Sequence, residues 1–218
     1  MEHDQVLCPF KSCSSFLISA PSGSGKTEWV RKLLTQKGMF DEEPVQIMYC
    51  YGVHQPLFDT MEREIDNISF HEGIPTETDL KQFAHDRQFR VIVFDDLMRQ
   101  CIDNPLVEKI YYAYAHHYRL CCIQITHNIF CQGKSARTIA LNSNYIILMK
   151  NLRDVNQIMT LGRQLFPTKS KAFVQAYSDA VSIPYGYFVI DIHPHSEDPL
   201  RLRTNIFKGE NPVIYTLH

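Results

Sequence analysis

Dense apolar runs alternate along this chain with stretches in which apolar residues recur at helical spacing. The runs around Phe16-Leu17-Ile18, Ile47-Met48-Tyr49-Cys50, Val91-Ile92-Val93-Phe94, Leu120-Cys121-Cys122-Ile123 and Ile146-Ile147-Leu148-Met149 lack the polar alternation of half-exposed strands, which predicts strands covered on both faces. Between them, a helix follows directly on the first strand, and Leu57, Met61 and Ile65 share one face of a second. A brief strand is expected over 68–70, and Thr76 with Asp79 three residues later marks a capped helix start running to Asp86. Pro105 suits the first turn of a helix over 104–118, with Leu106, Ile110, Ala113 and Tyr114 on its apolar side. A short helix ends at Leu141, further helices are expected over 155–165 and about 170–180 with Pro167 breaking them apart, and 187–192 and 200–206 read as closing strands of an edge hairpin. The last dozen residues carry no pattern. The alternation predicts an α/β fold: a central, mostly parallel sheet with helices on both faces, in one domain over 1–218 with its core at about 12–166 and a C-terminal helix and closing strands at about 167–208.

The first strand stops at a glycine-bearing loop, Ala20-Pro21-Ser22-Gly23-Ser24-Gly25-Lys26-Thr27. Gly23 and Gly25 permit a tight path in which successive N–H groups face inward, and the following helix adds the positive end of its dipole. A strand, such a loop and a helix in succession make an anion cradle: Pro21 to Thr27 line it, Lys26 reaches the β- and γ-phosphates of a nucleotide, and the Thr27 hydroxyl ligates Mg²⁺. Ala20 stands where this loop pattern usually has glycine.

The second informative stretch is Phe94-Asp95-Asp96, where a buried strand ends in two acids. Ligands of open α/β sheets bind at the C-terminal ends of strands. Asp95 is the expected Mg²⁺ partner, and Asp96 the group that orients or deprotonates the attacking water. The strand over 120–126 leaves through His127-Asn128, which face the γ-phosphate if this strand lies between the other two. His116-His117, at a helix end, is the arrangement in which imidazole meets the negative end of the dipole.

Charge adds a third observation. Net charge is only −2, but residues 1–104 hold 17 acids against 10 Lys and Arg, whereas 119–178 hold eight basic residues, among them Lys134, Arg137, Lys150, Arg153 and Lys169, against the single acid Asp154. That asymmetry suggests a side facing a polyanion. Seven cysteines without a C-x-x-C pair fit a reducing compartment, and Cys8, Cys13, His193 and His195 form a conceivable zinc set without a recognised spacing. No apolar run approaches the ~20 residues that span a bilayer, and the acidic, polar N-terminus does not read as a signal peptide. A soluble protein is expected.

Taken together, Ala-Pro-Ser-Gly-Ser-Gly-Lys-Thr at 20–27, Phe-Asp-Asp-Leu-Met at 94–98, His116-His117, Asn-Ile-Phe-Cys-Gln-Gly-Lys-Ser-Ala-Arg-Thr-Ile-Ala-Leu-Asn-Ser-Asn-Tyr at 128–145, Lys150 to Asp154, Arg163 to Pro167 and Tyr185-Gly186-Tyr187 resemble the FtsK–HerA-type DNA-packaging ATPases, in particular the poxvirus-type enzymes of Polinton/Maverick elements, adintoviruses and virophages. The resemblance implies a RecA-like sheet with an additional strand between the phosphate-loop and Asp95 strands. It implies ATP and Mg²⁺ as cofactors, a homo-oligomeric ring, pentamer or hexamer, and ATP-driven translocation of double-stranded DNA into a preformed capsid. Capsid or portal-vertex proteins are then partners, the setting is a host nucleus or cytoplasmic virus factory or the virion itself, and no membrane is involved. An arginine from a neighbouring subunit would complete the site, with Arg153 and then Arg137 as candidates. Family members often have Thr-Gln-Asn at 126–128 and Asn-Pro-Arg-Asp at 151–154. His127 therefore stands where a γ-phosphate sensor is often glutamine, and because imidazole titrates near neutral pH, hydrolysis is expected to depend on pH.

Two other functions fit the residues. A small-molecule P-loop kinase suits the length, although the paired Asp95-Asp96 and the absence of an arginine-rich lid speak for hydrolysis. A nucleotide-dependent switch or scaffold, binding ATP without turning it over, would not require Lys26, Thr27, Asp95 and Asp96 all intact.

Overall fold

The computed structural model describes residues 8–101, 104–130, 139–153 and 155–218, without the side chains of Met98, Tyr112, Ala113 and His116. Among the described residues, nine strands form one sheet in the order β3-β2-β4-β5-β1-β6-β7-β8-β9. They are β1 (Ser15–Ser19), β2 (Gln46–Tyr51), β3 (Ile68–Glu72), β4 (Arg90–Asp95), β5 (Leu120–Thr126), β6 (Tyr145–Met149), β7 (Tyr187–Asp191), β8 (Leu202–Thr204) and β9 (Val213–Ile214). The first six are mutually parallel. From β7 onward each strand runs antiparallel to its neighbour.

Side-chain alternation along the strands divides the core between the two faces of the sheet. Val91 and Val93 point to the face covered by α1 (Lys26–Thr35) and α2 (Pro56–Glu64), through Trp29, Val30, Leu33, Phe58 and Met61. Ile92 and Phe94 point to the other, covered by α3 (Glu77–Phe83) and by the helices Val155–Leu165 and Ser170–Ala180, through Leu80, Phe83, Ile158, Leu161, Phe173 and Tyr177. Every residue of β1, β4, β5, β6 and β7 is buried, the reason their sequences show no polar alternation. At about 1.5–3 kcal/mol for each large apolar side chain, this burial is the main stabilising term of the fold.

The element forecasts differ from the structure mainly at their ends. The Thr76 and Asp79 side chains form a reciprocal capping box, as their spacing predicts, but the helix stops at Phe83 and Arg87 takes a left-handed φ of 57° on the way to β4. The segment expected as one helix over 104–118 starts under an Asn104 cap at Pro105 and passes through a π-helical turn, Ile110–Tyr114, before ending at His117. The last forecast strand shortens to Leu202–Thr204, and the unpatterned C-terminal stretch adds β9 as an exposed edge strand. No helix among the described residues is long and apolar enough to cross a membrane.

Candidate functional site

The site gathers where β1, β4 and β5 end. Strand β5 lies between the other two, pairing Thr126 with Ser19 on one side and Ile125 with Asp95 on the other. The Ala20 N–H donates to the Thr126 carbonyl at 3.2 Å, which ties the start of the phosphate loop to the end of β5. Ala20 is buried against the α1 face, and its backbone lies outside the left-handed region, so its methyl is accommodated where glycine is usual. Gly25 is different: its φ of 90° is one that residues with a Cβ rarely adopt, and it caps α1.

Lys26 is 8% exposed, and its Nζ donates to the carbonyls of Ala20 and Pro21 at 2.7 and 2.8 Å. Burial lowers its pKa, while the carboxylates of Asp95 and Asp96 act in the opposite direction. The ammonium therefore closes the loop on itself until an anion offers stronger acceptors. Thr27 Oγ1 donates to Asp95 Oδ2 at 3.1 Å, across the gap between β1 and β4. Burial raises the pKa of Asp95, against the opposing hydrogen bonds from Tyr49 and Thr27 and the charge of Lys26.

Tyr49 went unnoticed in the sequence. Register explains its place: Tyr49 pairs with Val93, two residues before Asp95, so both side chains point to the α1 face. Its hydroxyl donates to Asp95 Oδ2 at 2.7 Å. Only the β2–β4 pairing reveals that contact; nothing in the strand itself separates Tyr49 from Tyr51, two residues on.

Asp96 leaves β4 with a φ of 55°, which turns its carboxylate toward the end of β5. There its Oδ1 lies 3.4 Å from His127 Nε2, with both side chains about half exposed. Ser22, Gly23, Gly25, Lys26, Thr27, Asp95, Asp96 and His127 line one cavity of about 430 Å³, whose wall also includes Glu28 and Tyr185. An adjoining cavity of about 500 Å³ is lined by Pro21, Ser22, His127, Asn128, Asn151 and Arg153. Arg153 is exposed, and its N–H donates to Asn151 Oδ1 at 3.0 Å, an Asx turn that leads out of β6. Arg137 and Lys134, like the His116 side chain, lie outside the described residues.

Hydroxyl and carboxylate oxygens side by side at Thr27 and Asp95 suit a hard cation such as Mg²⁺, and a loop turned at Gly23 and Gly25 with a buried lysine suits polyphosphate. The basic stretch is less unified than its sequence implied. Arg119 precedes β5 at the N-terminal ends of the parallel strands and pairs with Glu42, whereas Lys150 and Arg153 follow β6 at their C-terminal ends. Lys169 Nζ donates to the Leu217 carbonyl at 2.7 Å. No three His, Cys, Asp or Glu side chains converge on a metal position among the described residues, so the Cys8, Cys13, His193 and His195 set does not form a zinc site.

No family model matches the sequence, and no curated protein does. Solved structures do resemble the fold. B204, the DNA-packaging ATPase of Sulfolobus turreted icosahedral virus, aligns over 95% of this chain and 98% of its own with a TM-score of 0.58 and 9% identity. The genome-packaging NTPase B204 of Sulfolobus turreted icosahedral virus 2 in complex with ATP-γS aligns over 94% and 98%, with a TM-score of 0.53 and 10% identity. The same protein in complex with AMP aligns over 82% and 92%, with a TM-score of 0.51 and 12% identity. At these identities the likeness is one of fold: the chain shares the α/β, RecA-like architecture of B204.

Proposed function

We propose that this chain is the ATPase motor of a viral-type genome-packaging machine, hydrolysing ATP to move double-stranded DNA into a capsid. The observation that carries the reading is the 3.1 Å approach of Thr27 Oγ1 to Asp95 Oδ2 beneath the phosphate loop, with Asp96 and His127 together at the open rim. Similarity of fold to genome-packaging NTPases, including one in complex with ATP-γS, supports it. The motifs at 128–154 and 163–167 support the narrower assignment to the FtsK–HerA type, as a single ATPase domain over 1–218 that works in a homo-oligomeric ring against capsid or portal-vertex proteins.

In this mechanism the loop N–H groups and Lys26 hold the β- and γ-phosphates, Lys26 exchanging the carbonyls of Ala20 and Pro21 for phosphate oxygens. Thr27 and Asp95 would hold Mg²⁺, which would supply neutralisation of charge on the phosphate oxygens. Asp96 orients the attacking water and takes its proton, and His127 steadies Asp96 and contacts the γ-phosphate. Arg153 supplies the arginine that stabilises the transition state, with Arg137 as the alternative.

The test is ATPase rate with and without double-stranded DNA, measured together with oligomeric mass. Stimulation by DNA in a ring-sized assembly is expected. Phosphate transfer to nucleosides, or hydrolysis indifferent to DNA, overturns the reading.

A further inference from the structure

Tyr185 lies in the turn between the Ser170–Ala180 helix and β7, and three observations about it call for a cause. Its side chain is 75% exposed, so packing contributes little to holding it there. Its φ of 59° is left-handed, a conformation that costs a residue with a Cβ about 1–2 kcal/mol. Its ring stands against the phosphate loop: a Cβ placed on Gly25 would come within 3.1 Å of Tyr185 Cδ1. The turn is locked as well, because the Gly186 N–H donates to the Ile183 carbonyl at 3.1 Å, and a Cβ at Gly186 would lie 2.6 Å from the Ala180 carbonyl oxygen. A strained, exposed aromatic on a fixed turn points to a ligand.

We propose that Tyr185 is the platform on which the base of the bound nucleotide stacks. The inference rests on the nucleotide reading above and adds where the base goes. Sheet order gives the direction, since Asp95, Asp96 and His127 sit at the ends of β4 and β5, on one side of β1, while Tyr185 enters β7 on the other. A nucleotide cradled by the loop after β1, with its terminal phosphate toward the acids, extends its base toward β7, where Tyr185 lines the same cavity. Stacking reads the face of a base and not its edge. The platform therefore favours purines over pyrimidines by contact area and does not separate adenine from guanine.

Calorimetric titration of the whole chain with ATP, GTP, CTP and inorganic tripolyphosphate, Mg²⁺ present, tests this. ATP and GTP should bind alike and CTP more weakly. Tyr185→Ala should weaken ATP binding about 5- to 150-fold, the effect of losing one base–aromatic stack, and leave tripolyphosphate unchanged. Tyr185→Trp should keep ATP affinity and show fluorescence quenched by ATP but not by tripolyphosphate, over the background of Trp29, the one tryptophan of the natural chain and only 3% exposed. Unchanged ATP affinity in Tyr185→Ala, with ATP binding still lost in Lys26→Ala, overturns the platform alone and leaves the phosphate loop in place. Equal losses for ATP and tripolyphosphate assign Tyr185 to propping Gly25, and overturn it too. A parent protein that binds no ATP, or whose binding survives Lys26→Ala, overturns the proposed function and the platform with it.

Discussion

The hydroxyl of Tyr49 donates to Oδ2 of Asp95 at 2.7 Å, the same oxygen that accepts from Thr27. A buried carboxylate is thereby held by two donors at the point where Mg²⁺ is proposed to bind. Burial raises the Asp95 pKa from its ordinary value, and Tyr49 is foremost among the contacts that restrain it. A raised carboxyl pKa stabilises the fold at pH values where the group is protonated, and that contribution is lost as pH rises through the folded pKa. Asp95→Asn should therefore raise the melting temperature of the nucleotide-free protein at pH 7, with the gain shrinking toward acid pH, and should abolish Mg²⁺-dependent hydrolysis. Tyr49→Phe should destabilise by about 1–3 kcal/mol, as losing a hydrogen bond to a charged group does, and raise the Mg²⁺ concentration needed for half-maximal rate. Melting curves against pH and a Mg²⁺ titration check both, and a lower melting temperature for Asp95→Asn at pH 7 would contradict the account.

Asp96 and His127 come from different strands and meet at the rim, so their variants should separate binding from chemistry. Asp96→Asn should keep ATP affinity and slow hydrolysis about 10²-fold or more. His127→Gln should remain active, since an amide can both donate to and accept from its neighbours as a neutral imidazole does. His127→Ala should hydrolyse slowly while still binding ATP. Equal hydrolysis rates for the parent and both His127 variants would remove that residue from the site.

Arg153 shares a cavity with Pro21 and Ser22 of its own chain, which makes the choice between its own site and a neighbour's a sharp one. Arg153→Ala should abolish hydrolysis without loss of ATP affinity. If the arginine serves the next subunit, mixing Arg153→Ala with Asp96→Asn subunits restores part of the rate, because some interfaces then hold one intact site. Recovery is the expected result. With mixed rings verified by mass, no recovery at any ratio would assign Arg153 to its own loop and make Arg137 the candidate in trans.

DNA binding should be indifferent to sequence and weaken steeply with salt, with a log–log slope of about −0.9 per phosphate neutralised. Lys134→Ala should make that slope shallower by roughly one unit. Lys169→Ala should change it less, because its ammonium already donates to the Leu217 carbonyl. Filter binding of duplex DNA at several salt concentrations measures both, and an unchanged slope for Lys134→Ala would remove that residue from the DNA contact.

What the sequence determined by itself was local. Gly23, Gly25, Lys26 and Thr27 make an anion cradle by their spacing alone, the run into Asp95-Asp96 marks a strand end at a ligand site, and the apolar runs foretell strands buried on both faces, because each depends on residues close together in the chain. The resemblance added an expectation that local pattern could not supply, the strand between β1 and β4, and β5 takes that place. Tertiary structure decided the rest. Tyr49 meets Asp95 only through the β2–β4 register, and Asp96 meets His127 only because β5 lies beside β4. Nor does any short-range signal place Tyr185, remote in sequence, against Gly25, or turn the sheet antiparallel at β7. Strand order and register are settled by which faces pack together across the whole core, and neighbouring residues in the chain carry no record of that choice.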